Sequence, residues 1–223
     1  MEICSGKDRI DLRMTAENMA LYAVTDRRRL HGRTLAEAVW EACEGGITFL
    51  QYREKHRTPE GLRAEACVLQ EIAAEFGIPF VINDNVWLAK EIGADGVHLG
   101  QSDMDPLQAR EILGPEKIIG VSAHNAAEAC EAERKGADYL GSGAVFATST
   151  KADTTHLTAE EFRRIRESAQ IPIVLIGGIN VQNIGQLAGY GADGAAVSSA
   201  VFGAEDIRGS CRELLAAVRA WDR

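Results

Sequence analysis

The chain has 223 residues, 46% hydrophobic and 26% charged, the composition of an ordered globular protein long enough for one barrel-sized unit with a generous core. Twenty-four Lys and Arg against 33 Asp and Glu leave a formal charge of −9, so no global field draws nucleic acid or an anionic membrane, and any anionic ligand must be held by a few local cations. No apolar run approaches the roughly 20 residues that span a bilayer and no signal-like region opens the chain, which predicts a cytoplasmic protein. The five cysteines, Cys4, Cys43, Cys67, Cys130 and Cys211, are odd in number and lack a CxxC pair. They read as free thiols, mostly small core residues, rather than a disulfide framework or a zinc site.

Residues 1–18 carry mixed charge without a clear period and are expected to be an N-terminal extension, either a short helix beneath the fold or loose chain. From there β-branched runs alternate with amphipathic segments. Strands are predicted at 20–25, 48–53, 80–83, 96–99, 118–122, 139–146, 173–177 and 194–198, and helices at 35–43, 59–76, 86–92, 106–113, 126–135, 159–169, 181–188 and 207–221. Eight βα units with no linker between them predict an α/β protein, a single closed (β/α)8 TIM barrel over residues 19–223. An open doubly wound sheet is the competing arrangement, because strand order is not written in one sequence. Three units begin alike, Gly93-Ala94-Asp95, Gly136-Ala137-Asp138 and Gly191-Ala192-Asp193. Each glycine falls where a helix should end in the left-handed conformation, so the echo reads as architecture, not catalysis.

In such a barrel the chemistry sits where strands end and helices have yet to begin. The second strand finishes Gln51-Tyr52-Arg53-Glu54-Lys55, and a side-chain period of two puts Gln51, Arg53 and Lys55 on one face. Two cations over a barrel mouth are costly to desolvate unless they meet an anion, phosphate being the natural guest. A rim salt-bridged to Glu54 or Glu60 is the plain alternative. Asp84 ends the third strand and Asp103 follows the fourth; on neighbouring strands they can share a Mg²⁺ ion with substrate phosphate oxygens, or simply cap the next helices. Ser122 and His124 follow the fifth strand as a hydroxyl donor and a titratable ring, or as loop caps. Thr148, Thr150 and Lys151 after the sixth suit phosphate oxygens, or form a solvated loop. Gly177-Gly178 and Ser198-Ser199 end the seventh and eighth strands, where barrels commonly hold phosphate on backbone N–H groups. His98 reads as a hydrogen-bonded barrel residue and His31, His56 and His156 as surface residues. No Ser-His-Asp order, GxSxG elbow or Walker lysine is present, which removes hydrolase and P-loop readings. Two anion sites suggest two anionic substrates, one with a metal-bound leaving group.

Six ordered strings, Gln51-Tyr52-Arg53-Glu54-Lys55, Ile82-Asn83-Asp84, Gly96-Val97-His98-Leu99-Gly100-Gln101-Ser102-Asp103, Gly120-Val121-Ser122-Ala123-His124, Thr148-Ser149-Thr150-Lys151 and Ile176-Gly177-Gly178-Ile179, resemble the thiamine-phosphate synthase family over residues 21–202. The resemblance implies a (β/α)8 barrel that joins 4-amino-5-hydroxymethyl-2-methylpyrimidine diphosphate to a thiazole phosphate, giving thiamine phosphate and pyrophosphate. It implies that Gln51 and Ser122 lie near the pyrimidine, that Arg53, Lys55, Asn83 and Lys151 hold the diphosphate, and that Asp84 and Asp103 bind Mg²⁺. Thr148, Thr150, Gly178, Ser198 and Ser199 match residues around the thiazole phosphate. On the same basis Arg53, Lys55, Lys151 and Ser122 are the expected catalytic residues, and the partners are these small molecules, with no nucleic acid or membrane. Whether copies form a homo-oligomer and whether the thiazole carries a carboxylate are left open.

Some positions depart from the family pattern. Ala144 and Ala147 stand where prolines are usual, Asn85 where an arginine is frequent, and Ser198 where an aliphatic residue is usual, which bears on thiazole affinity more than on reaction type. Two rival readings are a thiazole tautomerase of the related regulatory family, disfavoured because Arg53, Lys55, Asp84, Asp103 and Lys151 are all present, and a non-catalytic phosphate-binding barrel.

Overall fold

A computed structural model describes residues 14–147 and 157–221. Eight parallel strands close into a barrel in sequence order: β1 (Leu21–Val24), β2 (Phe49–Tyr52), β3 (Phe80–Asn83), β4 (Gly96–Leu99), β5 (Ile118–Ser122), β6 (Tyr139–Gly143), β7 (Ile173–Ile176) and β8 (Gly194–Val197). Closure comes from β1 against β8, with Leu21 opposite Ala195 and Ala23 opposite Val197, so the open doubly wound alternative is excluded. The helices are α1 (Ala16–Met19), α2 (Leu35–Gly45), α3 (Pro59–Glu75), α4 (Val86–Ile92), α5 (Pro106–Leu113), α6 (Ala126–Arg134), α7 (Ala159–Ser168), α8 (Ser199–Phe202) and α9 (Ile207–Arg219). No helix among the described residues is long and apolar enough to cross a membrane.

The strand period of two divides the apolar residues into two cores. Outward-facing Leu21, Ala23, Leu50, Ile82, Val97 and Leu140 meet the helices, while Tyr22, Phe49, Val81, Ile118, Tyr139 and Val174 fill the barrel interior. Glycine makes the interior possible. A Cβ on Gly120 would lie 2.1 Å from Cζ of Tyr139, and one on Gly141 would lie 3.2 Å from Cε1 of His98, so β5 and β6 give up side chains to admit rings from β6 and β4 across the interior. Met19 at the end of α1 plugs the floor of the same interior, while residues 1–13 of the expected extension lie outside the described residues.

The Gly-Ala-Asp echo is a structural bolt at the floor. Gly93, Gly136 and Gly191 all have positive φ. Each following aspartate then reaches one strand across: Asp95 accepts from Phe80 N at 2.8 Å, Asp138 from Ile119 N at 2.7 Å and Asp193 from Ile173 N at 2.8 Å. In return the backbone N–H groups of the three aspartates donate to the carbonyls of the same three residues.

Four expectations need correction. β6 ends at Gly143 rather than 146, although Val145 N and Phe146 N still donate to Ile176 O and Gly177 O at 3.0 Å; the chain keeps its partners while leaving the strand conformation. The segment 181–188 holds only a 3₁₀ turn, Ile184–Leu187; the side chain of Asn183 at its start accepts Asn180 N and donates to Gly178 O instead of capping a helix. α8 arises from Ser199-Ala200-Val201-Phe202, which four residues of helical apolar spacing were too short to signal. Of the cysteines, Cys43 and Cys211 are buried, but Cys67 is half-buried and Cys130 exposed.

Candidate active site

The C-terminal ends of the strands form one polar mouth, a cleft of about 160 Å³ that brings together Gln51, Arg53, Asn83, Ser122, Gly178, Ser198 and Ser199. These seven come from β2, β3, β5, β7 and β8 and lie far apart in the chain; the barrel alone makes them neighbours. Thr148, Thr150, Lys151 and His156 lie outside the described residues.

The β2 end is held from behind. Thr25 Oγ1 accepts from Arg53 N at 2.8 Å and donates to Arg53 O at 3.2 Å, which fixes the backbone at the point where the Arg53 side chain enters the mouth. Glu54 turns the other way. Its carboxylate takes Lys55 N at 2.7 Å, His56 N at 2.8 Å and the guanidinium of Arg27, and these donors outweigh burial to keep it below the ordinary carboxylate range. Arg27 also pairs with Glu65, which accepts Tyr52 Oη at 2.7 Å and lies 3.2 Å from Arg57. Glu54 is therefore committed to Arg27 and the loop backbone, and Lys55 points elsewhere, its Nζ 3.6 Å from Asp84 Oδ2. The plain reading of Lys55 as a rim salt bridge to Glu54 or Glu60 does not hold.

Nor are Asp84 and Asp103 helix caps. The N-cap of α4 is Asn85, which accepts Leu88 N, and that of α5 is Asp105, which accepts Leu107 N. Each cap lies one or two residues beyond the aspartate in question. Asn85 is thus occupied by the helix start. Asp84 has φ 62°, the left-handed region that Asp tolerates better than most residues, and Asp84 N donates to His98 O at 2.8 Å. This turn aims its carboxylate at Asp103, whose own Oδ2 accepts Gly100 N at 2.7 Å. Burial and then the neighbouring Asp103 raise the Asp84 pKa, more than Lys55 and the Asn83 amide lower it. Two carboxylates held this close, with one pushed towards its neutral form, have the donor chemistry of a divalent-cation site. Among the described residues no cluster of three or more His, Cys, Asp or Glu gathers for a metal.

Across the mouth, Gly177 and Gly178 have φ of 107° and 63°. A Cβ on Gly178 would stand 2.4 Å from Ala147 O, so only glycine lets this loop pass under the chain leaving β6. Ser198 is the N-cap of α8 but makes no side-chain cap bond, which leaves its hydroxyl available to the mouth. Ile176, 37% exposed, supplies an apolar wall between the two polar arcs.

His124, unlike Ser122, is taken up locally: its N–H and its Nδ1 both lie 2.8 Å from Glu128 Oε2. Ser122 instead lies 3.0 Å from His98 Nε2, and His98 Nδ1 lies 3.0 Å from Tyr139 Oη. His98 is the hydrogen-bonded barrel residue expected of it. Tyr22 and Tyr139, 2.8 Å apart at their hydroxyls, were missed as site neighbours. Their inward parity on β1 and β6 was the available signal.

Fold and mouth together define a (β/α)8-barrel enzyme with paired carboxylates and cations at the C-terminal ends of its strands. Residues 21–201 match the family model of thiamine monophosphate synthase. The thiamine-phosphate synthase of Clostridium acetobutylicum is 46% identical over 199 residues, 89% of this chain and 94% of its own. That of Chloroflexus aurantiacus is 45% identical over 199 residues, 89% of this chain and 92% of its own. Among solved structures, the thiamine phosphate pyrophosphorylase from Pyrococcus furiosus superposes with a TM-score of 0.83 at 42% identity, over 92% of this chain and 97% of that one. A 3-hexulose-6-phosphate synthase, TM-score 0.63 and 19% identical over 89% of this chain and 99% of that one, shares the fold alone. The chain belongs to the thiamine-phosphate synthase family, transferases of thiamine biosynthesis.

Proposed function

We propose that the mouth joins 4-amino-5-hydroxymethyl-2-methylpyrimidine diphosphate to 4-methyl-5-(2-phosphoethyl)thiazole, or its 2-carboxy form, releasing thiamine phosphate and pyrophosphate, and also CO2 when the 2-carboxy form is used. The observation that carries this reading is the position of Asp84 and Asp103, freed from capping by Asn85 and Asp105 and set beside Lys55. A purely structural rim has no use for two facing carboxylates beside a lysine.

The amino group makes the pyrimidine electron-rich enough to stabilise a cation at the exocyclic methylene, so the C–O bond to the diphosphate breaks before the nucleophile arrives. Arg53 and Lys55, with Lys151 from the loop after β6, hold the departing pyrophosphate by direct charge, and Asn83 orients it. Asp84 and Asp103 would hold Mg²⁺, which neutralises diphosphate charge when bound. Gln51 and Ser122 bind the pyrimidine edge. Gly178, Ser198 and Ser199, with Thr148 and Thr150, seat the thiazole phosphate so that the ring nitrogen lies behind the methylene it attacks. No general base is required, in keeping with a His124 bound to Glu128.

Residues 1–18 are an extension and residues 19–223 the catalytic barrel in this reading, and the enzyme works in the cytoplasm. Incubation of both substrates with Mg²⁺, followed by chromatographic detection of thiamine phosphate and pyrophosphate, tests it. Equimolar formation of the two is expected. Isomerisation of the thiazole alone, or binding without product, would replace it with one of the two rivals.

A further inference from the structure

We infer that a one-directional hydrogen-bond chain through the barrel interior, from Gln51 through Tyr22, Tyr139 and His98 to Ser122, makes the mouth select an aminopyrimidine over the matching oxopyrimidine. This rests on the reading of Gln51 and Ser122 as the pyrimidine contacts. The new element is the chain behind them, which makes Tyr22, Tyr139 and His98 positioning residues for specificity.

With the Gln51 amide oriented so that Nε2 faces Tyr22, the direction of every other bond follows from counting hydrogens. Gln51 Nε2 donates to Tyr22 Oη at 2.8 Å. Each phenol owns one hydrogen, and burial pushes both well above the ordinary tyrosine pKa, so both remain phenols. Tyr22, having accepted from Gln51, gives its hydrogen to Tyr139 Oη at 2.8 Å. Tyr139 gives its own to His98 Nδ1 at 3.0 Å. The ring then carries its hydrogen on Nε2 and donates it to Ser122 Oγ at 3.0 Å, which leaves the Ser122 hydroxyl hydrogen for a guest. A doubly protonated imidazole would donate back to Tyr139 and strand a phenol hydrogen in the core, which buried polar groups avoid.

The chain therefore fixes both ends. Gln51 lines the mouth with a carbonyl oxygen that accepts no hydrogen bond from the described residues, and Ser122 lines it as a donor. An aminopyrimidine answers with an exocyclic N–H donor and a ring-nitrogen acceptor. The oxopyrimidine turns the exocyclic donor into an acceptor, which sets oxygen against oxygen at Gln51. Reversing every bond would satisfy the interior equally well, but would turn the Gln51 NH₂ outward and favour the oxo ring.

Removing Tyr139 Oη breaks the chain in a defined way. The Tyr22 hydrogen then has only the Gln51 carbonyl to go to, so the amide flips and presents its NH₂ to the mouth. Two measurements test this. ¹⁵N NMR of the free wild-type protein should find His98 as the Nε2–H tautomer. Calorimetry with 4-amino- and 4-oxo-5-hydroxymethyl-2-methylpyrimidine diphosphate and Mg²⁺ should give a preference for the amino compound of at least about 100-fold in wild type, since a site with mispaired polar groups rejects strongly, and below about 10-fold in Tyr139→Phe. Should Tyr139→Phe fail to fold, Tyr22→Phe, which releases the Gln51 amide from its partner among the described residues, supplies the comparison, and the tautomer measurement needs no variant. An Nδ1–H tautomer, or a preference unchanged in a folded variant, overturns the chain. Thiamine phosphate formation by wild type is assayed alongside: product with either negative result removes only this inference, while absence of product removes the reading beneath it as well.

Discussion

Arg27 touches nothing in the mouth, yet the position of the β2 end depends on it, and Arg27→Met measures how much. The substitution keeps the aliphatic stem and removes the guanidinium from two carboxylates, Glu54 with 5% and Glu65 with 15% side-chain exposure. A buried ion that loses its sole partner costs about 3–5 kcal/mol. Here neither is left alone: Glu54 keeps Lys55 N and His56 N, and Glu65 keeps Tyr52 Oη and Arg57. Arg27 itself is one-third exposed, which weakens its pairs further. The expected loss is about 2 kcal/mol, a fall in Tm of roughly 4–8 °C for a domain of this size. The sign with pH is also set. Glu54 is held below its ordinary pKa, so its contribution is present above the unfolded value and is lost as pH falls through the folded one. The deficit of Arg27→Met should therefore be full at pH 7 and shrink below about pH 4.3, where Glu54 protonates in the unfolded chain. Urea denaturation of parent, Arg27→Met, Glu54→Gln and the double variant, at pH 7 and pH 4, reads both quantities. A coupling energy under about 0.5 kcal/mol between the two sites, the additive limit, would refute the ion pair as the fixture of this loop.

Arg53→Ala, which takes one cation from the departing pyrophosphate, should lower kcat by about two to three orders of magnitude with an unchanged Tm; full activity in a folded variant removes Arg53 from the mechanism. Asp84→Asn removes the buried charge and its repulsion by Asp103, which together raise the Asp84 pKa, so the metal-free enzyme should melt higher than the parent while its Mg²⁺ activation curve shifts to higher concentration, and a parental curve would contradict the metal assignment. Gly120→Ala drives a Cβ into Tyr139 at 2.1 Å and should cost about 3 kcal/mol or more by overpacking. Gly136→Ala meets nothing within 4 Å but has φ 82°, so only the left-handed strain of about 1–2 kcal/mol is expected; equal losses in the two variants would show that the interior accommodates the extra methyl group.

Most of the barrel could be read from the chain because its strands and helices differ in period, and because the Gly-Ala-Asp starts recur where each helix must end. What could not be read was the layer just below the mouth. Tyr22, Tyr139 and His98 look like ordinary inward residues of β1, β6 and β4; only closure of the barrel brings strands that are distant in sequence close enough for their polar tips to meet, and pairing across an interior has no local signature. Gly120 and Gly141 look like breakers inside strands for the same reason, since the rings they admit come from β6 and β4. Lys151, Thr148 and Thr150 rest on motif alone.

The caps show why residue type alone could not decide the site. Aspartate serves three purposes in this chain, and each is told apart by the donors that reach it. At the floor, Asp95, Asp138 and Asp193 take a backbone N–H from the neighbouring strand and lock the sheet. At the helix starts, Asp105 and Asp206 take N–H groups from the first turn. Asp84 faces a lysine and a second carboxylate. A carboxylate whose oxygens are taken up by backbone donors has little left to offer a cation, whereas Asp103 accepts Gly100 N at Oδ2 and still faces Asp84. One aimed at another carboxylate is stabilised only when a positive charge arrives. The chain can afford such an arrangement because the adjacent Asn85 and the nearby Asp105 carry the capping, which leaves Asp84 and Asp103 free to be unfavourable until a cation comes.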